Sequence, residues 1–249
     1  EICACLVGSE MCIRDRLNPS LGDKALKRDF IYLNICRFFR KKTSVFIHGF
    51  NFEYAKNADW KWISANLNKA LCIFVLSQDF KNELIRRGIK SDIHLTSTKV
   101  PDYFISGFDL SMRQGKAENI MYSGRIEKAK GVYETVDTFS ILKSQYKDLT
   151  LTFVGDGSEL PMLKQYVENK KIKDVRFTGE LRGEDFKKEY INADMYLFLS
   201  YTEGMPTVVL EAMIFGLPIF TRKVGGLIDF FENGKMGSVS YTHLRAHET

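Results

Sequence analysis

Glu203 and Glu211 are the residues whose type and setting point most directly to chemistry. They lie in Ser200–Gly226, SYTEGMPTVVLEAMIFGLPIFTRKVGG, which reads as loop, helix, short strand and glycine turn. Pro206 suits a first helical position, where its missing N–H and fixed φ cost nothing, and Gly216 stops the helix; the prediction is a helix from about Pro206 to Phe215. Apolar residues cover every side of it, which predicts a buried helix, yet Glu211 interrupts them. A buried carboxylate needs partners. Glu203 sits just upstream, where the N–H groups of Gly204, Met205 and Thr207 would point at an anion with the helix dipole behind them. The expectation is a phosphate site flanked by two carboxylates. The plainer alternative makes Glu203 a cap and pairs Glu211 with an arginine in a structural network.

Arg125 and Lys130 supply the matching charge. They fall on the loop and first turn after a strand, from which two cations can converge on a pyrophosphate. Gly124, Gly155, Gly179 and Gly204 each follow a predicted strand, where glycine permits a tight turn and close approach of backbone to ligand. His48 also sits at the carboxyl end of a strand, and an imidazole there can donate to a hydroxyl or phosphate; His94, inside a strand, reads as structural. Between Leu17 and Gly237 there is no Asp-x-Asp pair, so cations rather than a bridging metal are expected to neutralise the phosphates. Gly155-Asp156-Gly157 lacks the Gly-Lys-Ser/Thr of a P-loop, which disfavours nucleoside triphosphate hydrolysis.

The elements that would position these residues alternate strand and helix. In the first half the pattern predicts a helix over Ala25–Lys42, a strand at Ser44–Ile47, a helix over Ala55–Ala70, a strand at Cys72–Leu76, a helix over Gln78–Arg87 and a strand at Ile93–Thr96. Residues 105–118 read as a linker. Beyond it come strands Asn119–Tyr122, Leu149–Val154, Val175–Phe177 and Met195–Leu199, with a helix over Val132–Tyr146 and another after Glu159. This is an α/β chain with parallel sheets, divided into domains at 17–104 and 119–237.

Gly124-Arg125, Lys130-Gly131, Val154-Gly155-Asp156-Gly157, Phe177-Thr178-Gly179, Glu203 through Glu211 and Val224-Gly225-Gly226 together resemble the retaining glycosyltransferases of family four. The resemblance implies the GT-B architecture, two Rossmann-like domains, here both incomplete. It implies transfer of a sugar from a nucleotide diphosphate sugar to the hydroxyl of a saccharide or lipid-linked acceptor, with retention and without a metal or other cofactor, in polysaccharide or glycolipid synthesis. By that likeness Gly124, Arg125 and Lys130 hold the donor diphosphate and the backbone at Leu181 meets the base. Glu211 binds the ribose, Gly204, Met205, Pro206 and Thr207 line the donor, and His48 and Glu203 act at the transferred sugar. The competing reading is a nucleotide-sugar-binding or scaffold protein of the same fold without catalysis. A phosphorylase of this architecture would need a pyridoxal-bearing lysine site that the sequence does not reveal.

The two ends read as foreign. One short DNA stretch encodes Leu6–Arg16, and its reverse complement encodes Val239–Thr249, as a sequencing adapter would; residues 1–16 and 238–249 are therefore set apart and the rest taken as part of a longer protein. The glycine loop expected early in the family, and the last strand and returning helix, are missing from it. Of 5 cysteines in 249 residues, Cys36 and Cys72 alone remain in that inner stretch, which forms no disulfide framework and suits a reducing cytoplasm. A net charge of +5 is compatible with phosphorylated donors, nucleic acid or an anionic membrane; the motifs favour the first and give nucleic acid no role. Phe30, Phe38 and Phe39 with Arg37, Arg40, Lys41 and Lys42 form a basic aromatic helix. Its plainer reading is a buried helix with solvated ends, and its alternative is peripheral contact with an anionic membrane at the inner face.

Overall fold

The computed structural model describes residues 16–21, 23–50, 52–113 and 117–240. Most of the two flanking segments, and Gln114-Gly115 of the expected linker, lie outside them. Arg16 and Ser238–Ser240, which the sequence reading sets apart, lie in strands, Arg16 in Arg16–Leu17 and the others in Gly237–Ser240. The chain divides into two compact units. The first runs through Thr98 and takes in Thr202–Met205 and Gly225–Phe230; the second holds Lys99–Tyr201, Pro206–Val224 and the chain from Phe231.

In the first unit β1 (Arg16–Leu17), β3 (Ser44–Ile47), β5 (Cys72–Val75) and β6 (Asp92–Leu95) form a parallel sheet in the order β1-β3-β5-β6. β2 (Ser20–Leu21) and β4 (Gly49–Phe50) pair separately. Every residue of β5 is buried, as expected of a central parallel strand covered on both faces. One face carries Val45, Ile47, Ile73 and Val75 against Leu26, Phe30 and Leu33 of α1 (Asp23–Phe38). Phe46, Cys72, Phe74 and Leu76 form a second cluster, with Met205 packed on it.

Two expectations need correction here. The helix read over Ala55–Ala70 is two, α2 (Phe52–Asn57) and α3 (Trp60–Leu67). Asp59 breaks it, because its carboxylate accepts the Trp62 N–H at 3.0 Å as an N-cap. The α1 helix buries one side only, leaving Ile31, Ile35, Phe38 and Phe39 exposed, while Phe30 lies in the core. The next helix, α4 (Gln78–Arg86), is capped by Ser77, whose hydroxyl accepts the Phe80 N–H at 3.2 Å.

The second unit has a six-stranded sheet in the order β12-β11-β10-β7-β8-β9, parallel throughout. Its strands are β7 (Asn119–Ser123), β8 (Thr150–Val154), β9 (Val175–Gly179), β10 (Met195–Phe198), β11 (Ile219–Arg222) and β12 (Gly237–Ser240). The helices are α5 (Val132–Gln145), α6 (Leu160–Asn169), α7 (Gly183–Asn192) and α8 (Thr207–Ile214), with the short α9 (Leu227–Phe230) assigned to the first unit. Contrary to expectation, α8 is not buried all round. Val209 and Ala212 face the interior while Val208, Leu210, Met213 and Ile214 stay half-exposed, because a helix laid on a sheet buries one stripe.

The chain from Lys99 to Arg113, which takes in the described residues 105–113 of the stretch read as a linker, is packed in the second unit. It forms 3-10 turns at Asp102–Phe104 and Leu110–Met112, and the rings of Phe104 and Phe108 sit 5.4 and 5.0 Å from that of Phe215. The Arg113 guanidinium donates to the carbonyls of Tyr190, Ala193 and Phe215, closing the ends of α7 and α8.

Glycine is required where neighbouring strand-to-helix turns meet. The Gly124 N–H donates to the Val154 carbonyl at 3.0 Å and the Gly155 N–H to the Gly179 carbonyl at 2.8 Å. Gly155 has φ +139°, and a β-carbon there would run into the Gly124 carbonyl oxygen. Gly155→Ala is expected to cost about 1–3 kcal/mol or more from this strain and contact, read as a lower urea midpoint; an unchanged midpoint would show that the turns can move apart.

Candidate functional site

In the second unit the predicted residues collect at the carboxyl ends of the strands. Gly124 and Arg125 directly follow β7, and Lys130 ends the short 3-10 turn Lys128–Lys130 that leads into α5. Gly131 closes that turn in the left-handed region at φ +69°, where a β-carbon would strike the Leu199 carbonyl. Arg125 is exposed and donates from Nη1 to Glu127 at 2.9 Å, a partner the sequence reading did not name. The Lys130 backbone N–H donates to the carbonyl of the same Glu127 at 2.9 Å, so one residue shapes the turn carrying both cations. Leu181 is half-buried between Gly179, at φ +74°, and the start of α7.

Pro206 is the N-cap of α8 and Thr207 its first residue, one position later than expected. The Pro206 carbonyl accepts the Val209 N–H at 3.0 Å. Glu211, one turn on, is half-buried, and its partner is not an arginine. The Tyr190 hydroxyl donates to Glu211 Oε2 at 2.8 Å, and no hydrogen bond reaches Oε1 among the described residues.

Tyr190 continues inward. Its hydroxyl lies 2.8 Å from the Ser123 hydroxyl, which lies 2.8 Å from that of Tyr196. All three side chains are fully buried. Ser123 ends β7, and beside it the Tyr122 hydroxyl donates to the Arg125 carbonyl at 3.0 Å. The carboxylate on α8 and the turn bearing Arg125 are thus held by hydroxyls of neighbouring residues at the end of β7, Ser123 through Tyr190 for the one and Tyr122 for the other. Burial raises the Tyr190 pKa well above its ordinary value, so it stays a phenol and a donor. Burial also raises that of Glu211, against the Tyr190 hydrogen bond that lowers it.

In the first unit the segment of Glu203, Gly204 and Met205 packs with His48. A β-carbon on Gly204 would meet the His48 carbonyl oxygen, and one on Gly225 the carbonyls of Glu203 and Gly204. The Gly226 N–H donates to the Gly204 carbonyl at 2.7 Å. Glycines at 204, 225 and 226 therefore let three backbone segments lie in contact. His48 is exposed at the end of β3, with Nε2 3.3 Å from Asn18 Oδ1 and its ring 4.0 Å from that of Phe46.

Sequence reasoning missed Tyr190, Ser123, Tyr196 and Glu127. The need of Glu211 for a partner was visible; that a tyrosine twenty-one residues upstream meets it was not. A groove of about 800 Å³ lined by Ile141, Leu142, Leu197 and Phe220 holds none of the nominated residues.

The family model of glycosyl transferases group 1 matches residues 111–248. A glycogen synthase of Mycobacterium tuberculosis is 31% identical over 126 residues, covering 50% of this chain and 30% of that protein. A putative teichuronic acid biosynthesis glycosyltransferase, TuaC of Bacillus subtilis, is 32% identical over 111 residues, covering 45% and 26%. The chain thus spans less than a third of the length of these two relatives. Among solved structures, Anabaena HepE in complex with UDP and glucose superposes with TM-score 0.68 at 17% identity, over 91% of this chain and 64% of that one. The pneumococcal O-GlcNAc transferase GtfA, in complex with UDP and GlcNAc, gives 0.69 at 21% identity, over 86% and 44%. These likenesses are of fold, α/β with parallel sheets as in GT-B glycosyltransferases.

The raised Glu211 pKa fixes the sign of a pH effect. The folded chain holds this proton more tightly than the unfolded one, so the contribution to stability is present below the ordinary glutamate pKa and is lost as pH rises through the folded value. Glu211→Gln is expected to melt higher than the parent at pH 7, with the gap closing as pH falls below that of an ordinary glutamate. A gap independent of pH would contradict it.

Proposed function

Because the chain belongs to the glycosyl transferases group 1 family, we propose that it moves a sugar from a nucleotide diphosphate sugar to an acceptor hydroxyl, with retention of configuration. The observation that carries this is that the end of β7 serves both parts: Ser123 meets the Tyr190 hydroxyl that donates to Glu211, and its neighbour Tyr122 donates to the Arg125 carbonyl, so a carboxylate and a cation-bearing turn are braced from one strand end. Arg125 and Lys130 take the diphosphate, and Glu211 Oε1 accepts from the ribose hydroxyls. The first-turn amides of α8 at Thr207 face the phosphate, with Gly124 leaving room for it and the backbone at Leu181 meeting the base. For Glu203 and His48 the proposed role is contact with the transferred sugar, with Gly204 and Met205 as backbone lining and Pro206 setting the start of α8.

The chemistry is positional and electrostatic. As the bond between sugar and phosphate loosens, charge develops on the diphosphate, and cations already in place stabilise it without reorganising. The leaving phosphate oxygen is the base that takes the acceptor proton. Arg125 and Lys130 do the neutralising, so the reaction needs no metal; the lack of an Asp-x-Asp pair supports this. The acceptor is a saccharide or a lipid-linked saccharide, in polysaccharide or glycolipid synthesis. The protein works in the cytoplasm, at the inner face of the membrane, in keeping with the free thiols of Cys36 and Cys72. No helix among the described residues is long and apolar enough to cross a membrane.

Arg125→Ala and Lys130→Ala are each expected to abolish donor turnover and to weaken nucleoside diphosphate binding by roughly tenfold or more, the loss of one charge-assisted contact. Melting temperatures should not change, and EDTA should leave the parent's turnover intact. Full activity in both variants would refute the site. Donor binding without turnover in the parent would favour the scaffold reading instead.

A further inference from the structure

The carboxyl end of α1 carries features that the donor site does not use. Its inner side packs Leu26, Phe30 and Leu33 into the core, and its outer side presents Ile31, Ile35 and Phe38, three or four residues apart on one stripe. Phe38 is 82% exposed and Phe39 65%, their rings 5.3 Å apart edge to face. Two adjacent aromatic rings standing in water at a helix end have no folding role on that side.

Beside them is a cavity of about 280 Å³ lined by Arg37, Arg40, Lys41, Lys42, Lys69 and Thr43. From Phe30 to Phe52 the sequence has no Asp or Glu. Lys69 is held by neutral groups, donating to Asn34 Oδ1 at 2.7 Å and Asn66 Oδ1 at 3.1 Å. Thr43 is 3% exposed, and its hydroxyl has no hydrogen-bond partner among the described residues. A buried orphan hydroxyl is costly and asks for an acceptor.

The backbone is also bent to keep the cations here. The Lys41 N–H donates to the Cys36 carbonyl at 2.8 Å and the Arg40 N–H to the Arg37 carbonyl at 2.9 Å, the pattern that closes a helix through a left-handed residue. That residue is Arg40, at φ +55°, where glycine is normally favoured. One or two cations would complement the helix dipole; five around a cavity with an orphan hydroxyl exceed that need.

We propose that this end of α1 docks on an anionic membrane, with the phosphate of a phospholipid headgroup seated in the basic cavity and Phe38 and Phe39 entering the acyl boundary. Charge complementarity selects the occupant: five cations line one cavity, and two exposed aromatic rings flank it, a pairing of anion-binding and apolar surface that matches a headgroup phosphate above acyl chains. The proposal rests on the membrane placement above and not on the donor site.

The test is co-sedimentation of the full chain with phosphatidylcholine vesicles, with and without phosphatidylglycerol. Binding should need phosphatidylglycerol and fall with salt. Arg40→Gly should raise the melting temperature, by relieving the left-handed arginine, while weakening binding roughly fivefold, the effect of one surface cation. Thr43→Val should lower phosphatidylglycerol binding with the fold intact, and Phe38→Ser with Phe39→Ser should weaken binding at every salt concentration. Wild-type binding that survives both Arg40→Gly and Thr43→Val unchanged would overturn the headgroup pocket while leaving the membrane placement standing. Equal binding to pure phosphatidylcholine, or equal binding to a short oligonucleotide, would likewise overturn the headgroup pocket, and no vesicle binding at all would overturn both.

Discussion

The second unit depends on one uncomfortable group, a half-buried carboxylate that no cation meets among the described residues. Glu211 is partly withdrawn from water and is met by the phenol of Tyr190 instead of an arginine. A charged pair would quench the carboxylate; a neutral donor orients it and leaves it able to accept further hydrogen bonds. Tyr190 can do this only because Ser123 and Tyr196 satisfy its hydroxyl from behind, in a buried network whose members each have a partner. Ser123 ends the strand that leads into the Arg125 turn, so the strand end that braces the partner of the carboxylate is also where the cationic turn begins.

Glycine supplies the second constraint. Adjacent strand-to-helix turns hydrogen-bond to one another at Gly124, Gly155 and Gly179, which leaves no room for a β-carbon at Gly155. In the first unit Gly204 and Gly225 play the same part, where backbone lies on backbone beside His48. Such sites trade conformational entropy for close approach.

Much of this was legible in the sequence, most clearly in the second unit. There the strand and helix periods alternate cleanly, and β7 through β10 fall within two residues of expectation, since central parallel strands are continuous apolar runs with glycine after them. The break at Asp59 was not legible, because a single capping carboxylate inside an otherwise helical pattern gives no change of period. Nor was the packing of residues 99–113, whose anchors Phe104, Phe108 and Arg113 are too widely spaced to show a repeat. Glu211 and Arg125 stood out by type and position. Tyr190 did not, since its role comes from a hydroxyl at the end of an otherwise apolar side chain, and nothing local distinguishes that from a core tyrosine.

The role proposed for Glu211 Oε1 is to receive the ribose hydroxyls of a nucleoside diphosphate. It is tested most directly by calorimetric titration of the full chain with a nucleoside diphosphate and its 2′,3′-dideoxy analogue, in the parent and in Glu211→Ala. The parent is expected to prefer the ribose form by roughly tenfold or more, as for hydrogen bonds to a charged group, and Glu211→Ala to bind both alike. A parent that does not distinguish the two, or a variant that still does, would contradict it.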